Sequence, residues 1–388
     1  MHVCSLNMQI EYYSPVSGGA IATVIMQHSR NFVARGHRAS VLTMVNDDET
    51  YRAGEVVAIR AAKRDDLSFL QRRISDVRQR IHGWDYPYYE HYLHSFIAAL
   101  KRLSPAPDVV VVHNDLVSPK YIKKALPATK VAVTLHNEQR TNQRDKQKAV
   151  SYADLFLPVS GYICDWTAKK YNIPTQKLVC IGNGVDLEVF KPREDYLSES
   201  DTLRVLFIGR IDPNKGPDIA ADAVTQLKKE GYAVSLTVVG GLWFYGHGNE
   251  MACPYFRSLK TKMDACNAHY LGHVTRADVP TIVREHDVVC VLSRSQEPFS
   301  LAALEAMASG CAVIASNRGG LPEACGGAAM LVDPDNFQQV VDCLRALAED
   351  STLLRSFKRK SVARASTESW MSKTAMLERV FQTELGLN

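Results

Sequence analysis

No C-x-x-C pair occurs anywhere in this sequence of 388 residues, which excludes the common zinc and thiol-redox spacings. Its nine cysteines, Cys4, Cys164, Cys180, Cys253, Cys266, Cys290, Cys311, Cys325 and Cys343, are odd in number and lie far apart. They read as small buried hydrophobes in a reducing compartment. No apolar stretch reaches the roughly 18 residues of a membrane span. The opening MHVCSLNMQIEYYS also lacks the basic segment and apolar run of a secretion signal. The expected location is therefore the cytoplasm, and peripheral contact with a membrane surface stays open. An excess of one charge is missing too: 46 basic residues stand against 42 acidic ones, for a formal charge of +4. Without a long run of one sign this field is too weak to argue for nucleic acid, though it suits a small anionic substrate. Neither a solenoid period nor a low-complexity tract is present.

What is there is a long chain with ample apolar content. At 46% hydrophobic residues it can bury sizeable cores, and its length exceeds what one core ordinarily supports, so two domains are expected. Short β-branched runs alternate with amphipathic segments: HVCSLN, RASVLTM, DVVVVH, KVAVTLH, DLFLPVS and KLVCIG in the first half. The second half repeats the alternation with LRVLFIG, AVSLTVVG, HYLGHV, DVVCVLS, CAVIAS and AAMLV. This is the βαβ signature of doubly wound parallel sheets. In the first helix Ile21, Val24, Ile25, His28 and Phe32 share a face, and Gly36 stands where a C-terminal cap belongs. The composition turns charged over FKPREDYLSESD, and the linker is expected there, at 190–202. The domains are accordingly expected at 1–190, joined by a last helix at 371–388, and at 200–368. Residues 62–92, rich in Arg and Tyr, break the alternation and read either as a helical excursion on the acceptor side or as a solvated insertion.

Three strings carry chemistry. In EPFSLAALEAMASGCAVIASNRGGLPE, Glu297 follows the strand DVVCVLS, Pro298 and Phe299 are expected to open a helix, and Glu305 sits about two turns in. The N–H groups of Phe299, Ser300 and Leu301 would form an anion site at the helix start. Glu297 stands where an open α/β sheet places its ligand, and Glu305, eight residues on, has the spacing to chelate a diol. By itself the E-x7-E spacing fits equally a helix-face carboxylate and a dipole partner. In FIGRIDPNKGPDIAADAV, Arg210 and Lys215 follow a strand end, where fixed cations stabilise charge developing on a leaving diphosphate. In YYSPVSGGAIATVI, Gly18 and Gly19 precede the first helix and let backbone approach a ligand, as they would also do in a plain tight turn.

Taken together, these strings resemble family 4 retaining glycosyltransferases: an EPF start with LEAMASG and GGLPE, G-R-x4-K-G, and a glycine-rich loop before the first helix. The resemblance implies the GT-B fold, an α/β arrangement of two Rossmann-like doubly wound domains facing a central cleft. It implies that Glu297 lies by the transferred sugar, that Glu305 binds the ribose hydroxyls, and that Arg210 and Lys215 hold the diphosphate. His136, ending the strand KVAVTLH, resembles a histidine near the donor sugar, although a strand-end histidine satisfied locally reads the same way. LGHV places His273 and Val274 where the family meets the base through backbone groups. NGVD at Asn183–Asp186 and Ser369 with Trp370 align as well. One position departs: Ser300 replaces the family's usual glycine, and its hydroxyl is expected to touch sugar or phosphate and narrow the donor choice. Trp243, Tyr255 and Lys260 make the chain look most like bacterial polysaccharide and lipopolysaccharide hexosyltransferases.

The implied reaction takes a nucleotide sugar, UDP-linked before GDP-linked, to a hydroxyl of a glycan, a lipid-linked or a small-molecule acceptor. The leaving diphosphate accepts the proton, so no dedicated protein base is needed. No cofactor or metal is expected, since no D-x-D motif stands where a metal-dependent fold needs it, and His247 and His273 lack the spacing of a zinc site. The rival readings are a sugar-nucleotide epimerase and a non-catalytic sugar-nucleotide binder of the same fold. An epimerase needs acid/base groups that the sequence does not single out, and a pure binder has little use for Glu297. A phosphorylase would need a pyridoxal-phosphate lysine, for which no motif stands out.

Overall fold

The computed structural model describes residues 1–16, 19–60, 66–82, 89–138, 150–198, 200–242 and 250–387. The chain divides into two compact units, Met1–Asn183 with Trp370–Asn388, and Gly184–Ser369. The boundary falls within NGVD, and the charged stretch at 190–202 belongs to the second unit. There Val185 bridges Ser369, and the Asp186 carbonyl and carboxylate accept from the amides of Phe190 and Glu188, folding this segment onto its own unit.

The first unit carries β1 (His2–Leu6), β2 (Arg38–Met44), β3 (Glu55–Ile59), β4 (Val109–His113), β5 (Lys130–Leu135) and β6 (Leu155–Pro158). They form one parallel sheet in the order β3-β2-β1-β4-β5-β6. Its helices are α1 (Ala20–Ala34), α2 (Phe69–His82), α3 (Tyr89–Leu100), α4 (Ser118–Ala125), α5 (Gly161–Tyr171) and, returning from the far end of the chain, a final helix at Trp370–Leu385. The central strands are apolar on both faces because helices cover both, as in VVVVH of β4, where every residue is buried. α1 lays Ile21, Val24, Ile25 and Phe32 onto the sheet, as its spacing predicts. The final helix docks beside it: Phe381 stacks on Phe32 at 6.3 Å, Glu378 pairs with Arg35 and His37, and Trp370 meets the His28 ring edge-on at 5.3 Å. Helices α2 and α3 occupy most of the stretch at 62–92.

The second unit repeats the design with β7 (Leu203–Ile208), β8 (Val234–Val239), β9 (His269–Gly272), β10 (Val288–Val291), β11 (Ala312–Ser316) and β12 (Met330–Val332). The order is β12-β11-β10-β7-β8-β9, all parallel. Between the strands run α6 (Pro217–Lys229), α7 (Pro254–Ala265), α8 (Val279–Arg284), α9 (Leu301–Ala308), α10 (Leu321–Cys325), α11 (Phe337–Glu349) and α12 (Ser351–Ser366); the helix at Trp370–Leu385 is α13. Asp287, 2% exposed at the start of β10, accepts from Arg204 on β7 and from Lys358 on α12. Burial pushes its pKa up, but these hydrogen bonds outweigh burial and hold it at about 2. The carboxyl ends of the strands, where open α/β sheets generally bind ligands, lie at the opposite end of the sheet.

Candidate functional site

At the carboxyl end of β7 the chain turns tightly. The Asp212 carboxylate accepts from the Asn214 amide at 2.8 Å, capping a single 3-10 turn at Pro213–Lys215, and Gly216, at φ 72°, passes into α6. The turn aims Lys215 at the loop after β10, where its Nζ lies 2.6 Å from Glu297 Oε2. The same oxygen accepts from Ser293 Oγ at 2.7 Å, and Ser293 is 1% exposed. Strand ends β7 and β10, neighbours in the sheet, thus converge on one carboxylate. A second pair braces the two loops: Arg294 grips Asp218 on α6 with both terminal nitrogens, and Tyr255 donates to the same carboxylate at 2.9 Å.

The GGLPE flank explains how the Glu297 backbone is held. A Cβ on Gly319, at φ 58°, would lie 2.2 Å from the Glu297 carbonyl oxygen, so only glycine permits the approach. The Gly320 amide then donates to that carbonyl at 2.6 Å.

The helix starts later than the sequence predicts. Its first residue is Leu301, not Pro298 or Phe299, because Ser300 sits at φ 97°, ψ 100° and breaks the helical path behind it. This conformation suits glycine, and a side chain held there is strained. The Ser300 hydroxyl accepts from the Ala303 amide at 3.3 Å as an N-cap. Phe299 is 3% exposed and packs inward. Glu305 therefore stands about one turn into α9, not two. It is 6% exposed, and Arg276, in the loop between β9 and α8, holds both its oxygens, one at 2.9 Å.

The remaining predicted positions are more dispersed. Arg210 is exposed, and no side-chain partner for it is found among the described residues. His273 is exposed and Val274 half-buried just after β9. Gly18 lies outside the described residues, as do Trp243 and His247. Gly19 N-caps α1, but the anion at that helix start is the protein's own: the Glu11 carboxylate accepts from the amides of Gly19, Ile21 and Ala22. Burial raises the Glu11 pKa, and these amides partly offset the rise. His136, in the first unit, is 7% exposed and shares a hydrogen bond with His113 at 2.9 Å. Burial, helped by the charge of nearby His28, pushes its pKa down to about 3, so the ring is neutral. Beside it a small pocket of about 20 Å³ opens at the ends of β1 and β4, lined by Asn7, Tyr89, Tyr92, His113, Asn114 and Asp115.

Comparison with known proteins matches both units. Residues 188–364 fit the family model described as glycosyl transferases group 1, and residues 18–189 fit that of Glycosyltransferase Family 4. The chain belongs to these glycosyltransferases. It is 24% identical over 320 residues to the putative glycosyltransferase YtcC of Bacillus subtilis, covering 76% of this chain and 77% of that protein. It is 28% identical to spore coat protein SA of the same organism over 52% of this chain, a match that spans 58% of the relative's length. Among solved structures, Anabaena Alr3699/HepE in complex with UDP and glucose superposes with a TM-score of 0.72 at 18% identity, over 99% of this chain and all of that one. At that identity the likeness shows the GT-B fold.

Within this glycosyltransferase, sequence reasoning missed Ser293, Arg294, Arg276 and Glu11. Ser293 ends the string DVVCVLS and Arg294 follows it, and neither carries a motif of its own. Arg276 hides in an unremarkable TRAD turn, and Glu11 precedes the loop it fills. No helix among the described residues is long and apolar enough to cross a membrane.

Proposed function

We propose that the chain is a retaining hexosyltransferase of the cytoplasm, moving a hexosyl or N-acetylhexosaminyl group from a UDP-sugar, with GDP-sugars second, to an acceptor hydroxyl on a glycan, a lipid-linked or a small-molecule substrate. The observation that carries this reading is the Lys215–Glu297 pair at the ligand-binding ends of β7 and β10. It sets a fixed cation and a fixed carboxylate side by side where a sheet of this kind binds ligands.

In this reading Lys215 and Arg210 meet the donor diphosphate, together with the amides at Phe299, Ser300 and Leu301. Glu297 lies by the sugar, Glu305 takes the ribose hydroxyls, and His273 and Val274 border the base. His136 offers a neutral imidazole to the sugar. Gly18 and Gly19, in the first unit, are the further donor-binding residues of this reading. The acceptor oxygen forms its bond to the anomeric carbon on the face from which the diphosphate oxygen departs, and that oxygen takes the acceptor's proton. Preorganised cations lower this barrier because they need no rearrangement as charge grows.

The test is incubation with UDP-glucose, UDP-N-acetylglucosamine and GDP-mannose, following nucleoside diphosphate release with and without EDTA and the anomeric configuration of the product by NMR. Retained configuration and turnover in EDTA support the reading. An inverted product, or activity abolished by EDTA and restored by Mn²⁺, overturns it.

A further inference from the structure

We infer that Arg276 is a specificity-determining residue that reaches into the ribose subsite and competes with the donor's sugar hydroxyls for Glu305. The inference rests on assigning Glu305 to the ribose.

Glu305 is almost wholly enclosed, its side chain 9% exposed, while Arg276 is 39% exposed and spans both carboxylate oxygens. The guanidinium therefore stands between the carboxylate and solvent. A carboxylate accepts at about four lone-pair positions, and a forked guanidinium fills the paired positions of one edge. A vicinal diol chelating the same group needs that edge, because burial closes the others. Ribose and Arg276 cannot hold it together.

The surroundings give Arg276 a second place to rest. Its guanidinium carbon lies 5.1 Å from the centre of the Phe190 ring, which is 3% exposed. Phe190 is fixed in turn by the Asp186 carbonyl, which accepts from the Phe190 amide at 2.8 Å. The NGVD turn thereby seats an aromatic face under the arginine. Displaced from Glu305, the guanidinium keeps its aromatic contact, which limits what the exchange costs.

Two consequences follow for affinity. Removing the guanidinium leaves Glu305 enclosed without its partner, raises the empty state in energy and makes the diol a better occupant. A nucleotide without ribose hydroxyls has no reason to displace Arg276 and is indifferent to the change.

The experiment is calorimetric affinity for UDP or GDP, whichever the protein binds more tightly, and for its 2′,3′-dideoxy counterpart. Wild type, Arg276→Ala and Arg276→Gln are compared, the last keeping side-chain length should the truncation disturb folding, with melting temperature recorded for each. We expect Arg276→Ala to bind the ribonucleotide about three- to tenfold more tightly, by loss of a partly exposed two-point pair, with the dideoxy nucleotide unchanged. Weaker or equal ribonucleotide binding by a folded variant overturns the competition while leaving the ribose assignment standing, provided wild type prefers the ribonucleotide. Equal wild-type affinity for both nucleotides overturns the assignment itself, and the inference with it.

Discussion

Lys215 Nζ and Glu297 Oε2 lie 2.6 Å apart, so the residues proposed to meet the diphosphate and the sugar hold one another. The pair is partly exposed, its side chains 25% and 13% accessible, which leaves the ammonium able to take a third, anionic partner. Because charge on the leaving group grows in the transition state, Lys215→Ala should lose roughly 10²- to 10³-fold in kcat. Affinity for UDP should fall much less. Lys215→Arg should recover only part of the loss, since a planar fork does not replace a compact ammonium against a single oxygen. Measuring kcat for UDP release beside calorimetric UDP binding checks this, and near-normal turnover in Lys215→Ala would leave the lysine as a brace for Glu297 alone.

Glu305→Ala should raise the donor KM more than it lowers kcat, because a ribose contact is present in ground and transition states alike. Steady-state kinetics in the donor decide it. An unchanged KM removes the ribose role.

Ser300→Gly should stabilise the protein. A serine at φ 97° carries strain on the order of 1 kcal/mol or more, whereas losing its N-cap to glycine costs only a few tenths. A rise of a few degrees in melting temperature is the expected result, and a fall would show that the cap outweighs the backbone.

Acid should destabilise the first unit earlier than carboxylate titration alone would. His28 is half-buried against Trp370 and shares a hydrogen bond with Thr374 at 2.9 Å, and desolvation holds its pKa at about 4 against an ordinary 6.5. The unfolded chain takes up this proton first, so the stabilisation is complete above pH 6.5 and is lost as pH falls from there toward about 4. The loss amounts to roughly 3 kcal/mol. Denaturant unfolding of wild type and His28→Gln at pH 7.5 and 5 should show the variant losing less between the two. Equal losses would mean that His28 is not part of the acid response.

The alternation of β-branched runs with amphipathic segments contained every strand of the second sheet and all of the first except β3, while KLVCIG, expected as a strand, makes only a bridge from Leu178 to Phe156. The E-x7-E and R-x4-K spacings contained Glu297 and Lys215, which meet where β7 and β10 end. What the spacings left out was pairing. Lys215 and Glu297 stand far apart in sequence, and only the adjacency of β7 and β10 brings them together. Arg276 likewise meets Glu305 through the packing of a turn, which no periodicity marks. Ser300 shows the reverse: its departure from glycine was visible, but its consequence is a backbone angle and a cap, neither readable as a ligand contact. At the start of α1 the amides already hold the Glu11 carboxylate, a pairing that no spacing in the sequence marked.

The return of α13 has a consequence for synthesis. The first unit needs Phe381 against Phe32 and Trp370 against His28, yet these residues leave the ribosome only after the whole of Gly184–Ser369. The half translated first is therefore the half completed last. Until then its α1 shows Phe32 and His28 to whatever surrounds the nascent chain, while the second unit, contiguous in sequence, has all its parts in hand.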